Sequence, residues 1–341
     1  MRGRAPAGSR RRVSLYANSL YATLMTIVLT VASPAYVVQV ADRRLSISKA
    51  GVIAGEHDPV SNKTIVYRCK NAIVVMGYSG IAYIGGNPTD EWLAQVLWGE
   101  PITRGPDGVR PALVGFVRRP LNVDIGRAVS LLRSAIDARP EPKRYGLEIT
   151  IAGWQSKRGR FRPIVMELAA RQHKNCTINQ HPRFWPRGTD LRLLCIGARV
   201  EPSEARAYLD TYKRPNGFFA PSFLDAERVA VELARDVSRR DQTVGPHVLS
   251  VVLPKPPSGK GFARFLPETV HHVNIETSGS DVATEVGYSP WIIGPRLLAA
   301  PSLMIGPLTH DLGGLSFHVL GPRPSTPVVA LHSAAPRPPP P

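Results

Sequence analysis

Thr26, which directly follows Met25, has the clearest capacity for covalent chemistry in this sequence. A threonine hydroxyl is a poor nucleophile until a base takes its proton. When threonine is the first residue of a chain, its own α-amine can be that base, directly or through water, because the pKa of the amine lies near neutrality. An initiator methionine is removed before a small residue such as threonine. Translation from Met25 would therefore leave Thr26 at the amino terminus, whereas translation from Met1 requires that residues 1–25 be cut off.

The segments around Thr26 predict a β-hairpin. Residues 26–32 and 35–42 are rich in β-branched side chains and are joined by the short turn "ASP". This arrangement places Thr26 at the open end of the hairpin and Asp42 at the end of the second strand. Two more strands are predicted at about 63–67, beginning with Lys63, and at about 72–77.

The rest of the chain predicts an α+β fold. Asn87 is the expected N-cap of a first helix with Pro88 in its first turn, and a second helix is expected to begin near Asp124. A third begins at Ser222 with a capping box and runs to about Arg240. Further strands are expected at about 146–154, 162–168, 191–197 and 247–254. Runs of strands alternating with runs of helices favour a four-layer αββα sandwich of two antiparallel sheets with helices outside.

Over residues 26–254 the sequence resembles a proteasome β-subunit, within the N-terminal nucleophile hydrolases. That family has a threonine on its first strand and an aspartate sixteen residues later. The residues that carry the resemblance are Thr26, Asp42 and Arg44 in "VADRR", Lys63 in "NKTIVY", Gly80 in "GYSG", and Asp241 and Gly245 in "RRDQTVG".

The resemblance implies a catalytic role for each of these positions. Lys63 would lie beside the Thr26 hydroxyl and favour the alkoxide, and Asp42 would hold that lysine. The Gly80 N–H would face the tetrahedral oxyanion. Asp241 would orient the α-amine.

The substrate implied is a peptide or a small amide, with no cofactor and no metal. Tyr78, two residues before Gly80, stands where the family has the residue that forms the floor of the pocket for the substrate side chain. The bulk of Tyr78 suggests a shallow pocket that prefers small residues. Proteasome subunits assemble into rings, so a homo-oligomer is a further expectation from the resemblance.

Two departures from the family keep a second hypothesis open. Where the family has a serine near Gly245, this chain has Val244, or Thr243 if the turn is shifted by one residue. Where the family has a serine after "CIG", this chain has Ala198. The matching residues also have ordinary structural interpretations: a strand threonine, a surface ion pair, a solvated lysine, a turn glycine and a helix-ending aspartate. The chain is therefore expected to be a threonine amidohydrolase, a relative that has lost activity, or a non-catalytic binding or scaffold protein on the same fold.

Composition narrows the other classes of function. Three widely spaced cysteines among 341 residues do not form a disulfide framework or a Cys-based zinc site and fit reduced thiols in the cytoplasm. The net charge of +17 raises affinity for polyanions, but no basic stripe is interleaved with aromatics, so nucleic-acid binding is not expected. No apolar run reaches the roughly 20 residues of a membrane-spanning helix. The adjacent histidines His271 and His272 lack a third ligand nearby.

The two ends of the chain differ from its middle. Residues 1–25 form a basic extension, interpreted as a propeptide, a signal or a mis-assigned start. With the apolar run that follows, they also resemble an export signal spanning residues 1–35, which is the alternative to a cytoplasmic location. Residues 255–321 are expected to pack on the hydrolase domain as a C-terminal extension, and the Pro-rich tail 322–341 is expected to be disordered.

Overall fold

The structure is a computed structural model, and its helices and strands follow the expected α+β order. It describes residues 26–49, 52–58, 61–99, 103–105, 108–110, 119–138, 146–171, 177–180, 192–198, 200–211, 222–257, 259–268, 272–277, 280–295, 297–304, 306–312 and 315–321. The predictions for residues 1–25, for the tail 322–341 and for Cys176 lie outside the described residues. The helices are α1 (Thr89–Trp98), α2 (Leu121–Asp137), α3 (Pro202–Thr211) and α4 (Phe223–Arg240).

The strands of the first half are β1 (Ile27–Ala32), β2 (Tyr36–Asp42), β3 (Leu45–Lys49), β4 (Val52–Asp58), β5 (Thr64–Arg68), β6 (Ala72–Gly80), β7 (Tyr83–Ile84), β8 (Asn87–Pro88), β9 (Thr103–Gly105), β10 (Gly108–Arg110), β11 (Gly146–Lys157) and β12 (Arg160–Arg171). Those of the second half are β13 (Thr177–Gln180), β14 (Arg192–Gly197), β15 (Val248–Pro254), β16 (Gly261–Leu266), β17 (His272–Thr277), β18 (Ser280–Glu285), β19 (Gly287–Tyr288), β20 (Trp291–Gly294), β21 (Leu297–Ala299), β22 (Leu303–Met304), β23 (Leu308–Asp311) and β24 (Ser316–Leu320).

The hairpin predicted around Thr26 is present. β1 pairs antiparallel with β2, from Val28 opposite Ala41 to Ala32 opposite Val37. Ser33 closes the turn, because its N–H donates to the Tyr36 carbonyl at 2.9 Å and its Oγ accepts from the Tyr36 N–H at 3.0 Å. Every residue of both strands is buried, so the hairpin lies inside the core.

Two seven-stranded sheets carry the fold. Sheet I has the order β14-β1-β2-β15-β16-β24-β23, and sheet II has the order β13-β12-β11-β6-β5-β20-β21. The Thr26 hairpin is central in sheet I, where β2 also pairs with β15, and Asp42 lies opposite Val248. The strand that follows Lys63 pairs with β6 near the middle of sheet II. The residues of interest therefore come from the interiors of two different sheets.

Within residues 26–254 the pairings in both large sheets are antiparallel, as expected, and two parallel pairs that use strands outside that range depart from the expectation. β16 pairs parallel with β24 in sheet I, and β20 pairs parallel with β5 in sheet II. Both parallel pairs use strands that follow residue 254. Parallel neighbours need a crossover connection, and here the partner strands are far apart in the chain: β16 ends at Leu266 and β24 begins at Ser316, while β5 ends at Arg68 and β20 begins at Trp291. Residues 261–320 thus extend both sheets.

Three hydrophobic clusters show how the elements pack. One joins α1 and α2 to sheet II, through residues such as Leu93, Leu132, Val74 and Ile149. A second joins α4 to sheet I, through residues such as Val229, Leu233, Ile27 and Val38. A third mixes residues of both sheets, such as Val37 and Leu194 from sheet I with Val75 and Trp154 from sheet II. Strand residues alternate between clusters, as the twofold period of a strand requires.

The helix ends agree with the sequence in one case and differ in another. The capping box of α4 is present, since Ser222 Oγ accepts from the Asp225 N–H at 3.2 Å while Asp225 accepts from the Ser222 N–H at 2.9 Å. The assignment of Asn87 as N-cap of α1 is wrong: Pro88 precedes the first helical residue, and Asn87 pairs with Ile84 in β8. The Thr89 hydroxyl bonds to the Ile81 carbonyl, which anchors the helix start on the preceding chain instead.

Several elements were not anticipated, among them a helix and a hairpin. α3 lies between β14 and α4, and the hairpin β3–β4 lies between Asp42 and Lys63. α2 also begins earlier than expected, at Leu121, and Asp124 lies within its first turn. The Asp124 carboxylate accepts hydrogen bonds from the Tyr67 hydroxyl and Arg119, both at 2.5 Å, so this buried acid is structural.

Candidate active site

Asp42 is the acceptor on which the candidate site is built. Its side chain is fully buried at the end of β2. Oδ1 accepts from the Thr26 hydroxyl and from the Ile27 N–H at 2.9 Å. Oδ2 accepts from the N–H groups of Arg44, at 3.1 Å, and Gly245, at 3.0 Å. Backbone donors from three parts of the chain therefore hold one buried carboxylate in place.

Lys63 completes a three-residue contact with Thr26 and Asp42. Its Nζ lies 3.0 Å from each carboxylate oxygen of Asp42, and it also donates to the Thr26 hydroxyl and to the Arg44 carbonyl. The side chain is only 1 % exposed, so the interpretation of Lys63 as a solvated strand residue does not hold. The ion pair is buried, and neither partner could be removed without leaving a charge in the interior.

The electrostatics favour proton transfer at Lys63. Burial is the largest effect on its pKa and lowers it from the ordinary 10.5, and the neighbouring cations Arg43 and Arg44 act in the same direction. Asp42 opposes this by favouring the ammonium form. An amine with a lowered pKa, in contact with a hydroxyl, can take or return a proton more readily than an ordinary lysine.

The backbone of Thr26 is held on both sides. The Ala198 N–H donates to the Thr26 carbonyl at 2.8 Å, and the next N–H, of Ile27, bonds to Asp42. Gly197 lies against the same carbonyl at φ +86°, and a Cβ there would collide with the Thr26 oxygen and lie 2.5 Å from Ser79 Oγ. Ala198 thus contributes a backbone donor where the family resemblance led us to expect a serine.

Gly80 lies at the end of β6, next to Ser79. Its φ is +109°, and a Cβ would collide with the Gly146 carbonyl, so both conformation and space require glycine. Its role toward an oxyanion stays a prediction.

Tyr78 packs on the helix-facing side of β6, in the cluster that contains α1 and α2. Its hydroxyl donates to the Asn62 carbonyl at 3.1 Å, and its N–H donates to the Lys63 carbonyl at 3.3 Å. Tyr78 therefore braces the segment that carries Lys63. Its role as the floor of a substrate pocket stays a prediction.

Asp241 ends α4 and organises the loop that follows. Its Oδ1 accepts from the Thr243 N–H at 2.9 Å and from the Thr243 hydroxyl at 2.6 Å. Val244 is fully buried and has no hydroxyl. Thr243, the shifted alternative, is therefore the residue that supplies a hydroxyl in this turn. The same loop reaches the site through Gly245 and Asp42. Orientation of an α-amine by Asp241 stays a prediction.

Sequence reasoning missed the residues that surround the three-residue contact. Asn62, Asp90 and Trp291 form a buried hydrogen-bond chain beside Lys63, and Arg43 lies under the rings of Phe265 and Tyr288. Isolated aromatic residues in the Pro-rich region after residue 254 were the available signal. Their partners are distant in the chain, so no local pattern points to them.

The described residues contain no group of three His, Cys, Asp or Glu side chains placed to hold a metal ion. Cys69 and Cys195, the two cysteines in the described part of the chain, are free thiols. Among the described helices, none is both long and apolar enough to cross a bilayer.

Comparisons with known proteins give distant structural similarity only. No protein-family model matches the chain, and no curated protein matches it in sequence. Among solved structures, Anbu from Hyphomicrobium sp. strain MC1 is 14% identical, with a TM-score of 0.43, and the match covers 71% of this chain and 88% of that one. Anbu (ancestral beta-subunit) from Yersinia bercovieri is 13% identical with a TM-score of 0.39, covering 67% and 82%. Similarity at this distance leaves the function to be inferred from contacts within the chain.

Proposed function

We propose that this chain is a threonine amidohydrolase that uses Thr26 as an N-terminal nucleophile on peptide or small amide bonds. The observation that carries the proposal is the buried contact of Lys63 Nζ with both the Thr26 hydroxyl and the Asp42 carboxylate. A threonine, a buried lysine and a buried aspartate in mutual contact form an arrangement that can generate and stabilise an alkoxide.

The proposed reaction uses each of these contacts. The free α-amine of Thr26 takes the hydroxyl proton, and Lys63 stabilises the developing negative charge on Oγ1. Oγ1 attacks the substrate carbonyl carbon, and the proton passes to the leaving amine as the C–N bond breaks. Water then hydrolyses the ester formed on Thr26 and restores the hydroxyl. In a chain that retains residue 25, the Thr26 nitrogen is an amide and cannot act as the base.

The fold inferred with this function is the four-layer arrangement of a proteasome β-subunit. The hydrophobic clusters support it, because each large sheet packs helices in one cluster and the other sheet in another. Assembly into a homo-oligomer and a cytoplasmic location belong to the same proposal and rest on the resemblance and on the cysteine pattern.

A second candidate is a non-catalytic binding or scaffold protein on the same fold. Two buried apolar residues favour it, Ala198 and Val244, which stand where the family places serines. In addition, the Thr26 hydroxyl donates to Asp42, whose oxygens already accept several other hydrogen bonds, so the contact also makes sense as a structural anchor.

The two candidates separate in an assay of four proteins on a fluorogenic peptide panel. These are the full chain, a form beginning at Thr26, and the Thr26→Ala and Thr30→Ala variants of the shorter form. Thr30 is the matched control, since it is a buried threonine on β1, the strand that directly follows Thr26, and its hydroxyl accepts a hydrogen bond from Gln39.

We expect cleavage by the shorter form and its Thr30→Ala variant. We expect loss of at least about a thousandfold in Thr26→Ala and an inert full chain. Equal rates for the shorter form and its Thr26→Ala variant would exclude the hydrolase. N-terminal sequencing of the protein from its native cell would then show whether Thr26 is ever exposed.

A further inference from the structure

The segment after residue 254 reaches the candidate site by two routes. This segment was expected to pack on the hydrolase domain, and its strands also join both large sheets. Its Tyr288 contacts Arg43, which follows Asp42, and its Trp291 contacts Asp90, which also binds Asn62, the residue before Lys63. The role inferred for this segment rests on the proposed function and concerns how its site is positioned.

The first route runs from Trp291 to Lys63. Trp291 Nε1–H donates to Asp90 Oδ2 at 2.9 Å, and Asn62 Nδ2–H donates to the same oxygen at 3.1 Å. Asn62 directly precedes Lys63, and its side chain also bonds across to the Thr64 backbone. The chain Trp291–Asp90–Asn62 therefore fixes the residues on both sides of Lys63.

Burial makes this chain sensitive to any loss. Trp291 is 2 % exposed, Asn62 7 % and Asp90 8 %. Burial raises the pKa of Asp90, while its hydrogen bonds from Asn62 and Trp291 lower it. A buried carboxyl that loses one of its two side-chain donors depends more heavily on the other, so the Asn62 segment would move.

The backbone reinforces the same route. β20 lies parallel to β5, with Trp291 opposite Ile65 and Ile292 opposite Val66. β5 begins at Thr64, directly after Lys63. The strand that carries Trp291 is therefore a hydrogen-bonded neighbour of the strand that carries Lys63 into the site.

The second route runs from Tyr288 to Asp42. The Arg43 guanidinium lies 4.5 Å from the centre of the Tyr288 ring and 5.6 Å from that of Phe265, and the two rings meet edge to face at 5.0 Å. Arg43 is 2 % exposed and follows Asp42 directly. A desolvated cation over two aromatic faces is a strong local anchor. The Arg43 carbonyl also accepts from the Ser61 hydroxyl at 3.2 Å, which links this route to the Lys63 segment.

We propose that residues 255–321 are a positioning element for the Asp42–Lys63 pair, with Trp291 and Tyr288 as its positioning residues. Neither residue touches Thr26 or the ion pair. Each acts through a neighbour, Trp291 through Asp90 and Asn62, and Tyr288 through Arg43. The N-terminal hairpin and Lys63 are thus held in register by two side chains that follow them by more than 200 residues.

The test follows the ionisation of Lys63 in the full chain, without any turnover. Protein labelled with ¹³C at lysine Cε would be titrated by NMR, and the Lys63 signal identified among nine lysines by its loss in Lys63→Met. The variants are Trp291→Phe, which keeps an aromatic ring and removes the N–H, and Tyr288→Leu, which removes the aromatic face. The control is Trp98→Phe, because Trp98 is buried in the same hydrophobic cluster and its Nε1 has no hydrogen-bond partner among the described residues.

We expect the Lys63 midpoint to move up toward its ordinary value in Trp291→Phe and Tyr288→Leu, because a relaxed segment admits water, and to stay unchanged in Trp98→Phe. Unchanged midpoints in both variants would overturn the proposal, as would an equal shift in Trp98→Phe, which would indicate general loosening. If Trp291→Phe does not fold, Tyr288→Leu decides, since its ring is only half-buried.

Turnover gives a second readout in the form that begins at Thr26. Trp291→Phe should lower kcat by about tenfold with KM unchanged, at a temperature where every variant is folded. An inactive shorter form whose Lys63 midpoint still responds to Trp291→Phe would remove the proposed function and leave the positioning element. An active shorter form with an unresponsive midpoint would do the reverse.

Discussion

Asp42 and Gly245 are 203 residues apart in the chain, yet the Gly245 N–H donates to Asp42 Oδ2 at 3.0 Å. This bond makes the loop after α4 part of the candidate site. The shape of the loop depends on Asp241, whose carboxylate accepts both the N–H and the hydroxyl of Thr243. A substitution at Thr243 should therefore affect the position of Asp42 indirectly, through the Gly245 N–H.

Thr243→Val should destabilise the protein by about 1 kcal/mol, because the isosteric side chain lacks the hydroxyl that Asp241 accepts. Thr243→Ser keeps the hydroxyl and should stay close to the parent. Urea unfolding of the three proteins measures the difference. Equal unfolding free energies for the Val and Ser variants would show that the Thr243 hydroxyl does not hold this loop.

Gly197→Ala should be much more damaging than Gly86→Ala. Both glycines have φ +86°, so the conformational strain is the same, but a Cβ at Gly86 meets open space and one at Gly197 collides with the Thr26 carbonyl. We expect roughly 1–2 kcal/mol of destabilisation for Gly86→Ala from the backbone conformation, and about 1–3 kcal/mol more for Gly197→Ala. Thermal unfolding compares them, and similar losses in the two variants would contradict the close packing of Gly197 on Thr26.

The buried amine of Lys63 should also leave a signature in stability against pH. Its pKa in the folded protein is lowered from 10.5, mainly by burial. Between the folded pKa and 10.5 the unfolded chain binds more protons at this site than the native protein, so the Lys63 contribution to the free energy of unfolding rises with pH in that window. It is fully present above 10.5 and is lost as pH falls through the folded pKa.

The difference between the parent and Lys63→Met isolates this contribution. Tyr36, Tyr67 and Tyr78, whose pKa values burial raises, affect both proteins alike and cancel in the difference. Urea unfolding free energies measured at a series of alkaline pH values should therefore diverge as pH rises, in favour of the parent. A difference that does not change with pH would mean that Lys63 titrates as an ordinary surface amine.

Local patterns were enough to predict the elements that carry Thr26, Asp42 and Lys63. β-Branched runs around a proline-containing turn specify the β1–β2 hairpin, and the Ser222–Asp225 pair specifies the start of α4. Both the hairpin turn and the capping box depend on contacts between residues that are only a few positions apart in the chain. The resemblance to the proteasome family then supplied the order of the three residues, and the structure brings those three into contact.

The surroundings of that contact depend on pairings between residues that are far apart in the chain, which local sequence patterns do not predict. Lys63 is buried because β5, the strand that follows it, lies between β6 and β20. The residues that support the Lys63 segment through Asn62 are Asp90 and Trp291, which are distant in the chain. Ala198 acts through its backbone N–H, which every residue type except proline possesses, so its identity carries no signal. Neighbouring residues in the chain are sufficient to specify local elements such as the β1–β2 hairpin and the start of α4. The burial of Asp42 and Lys63 is set at the tertiary level alone, because burial is a property of which strands become neighbours.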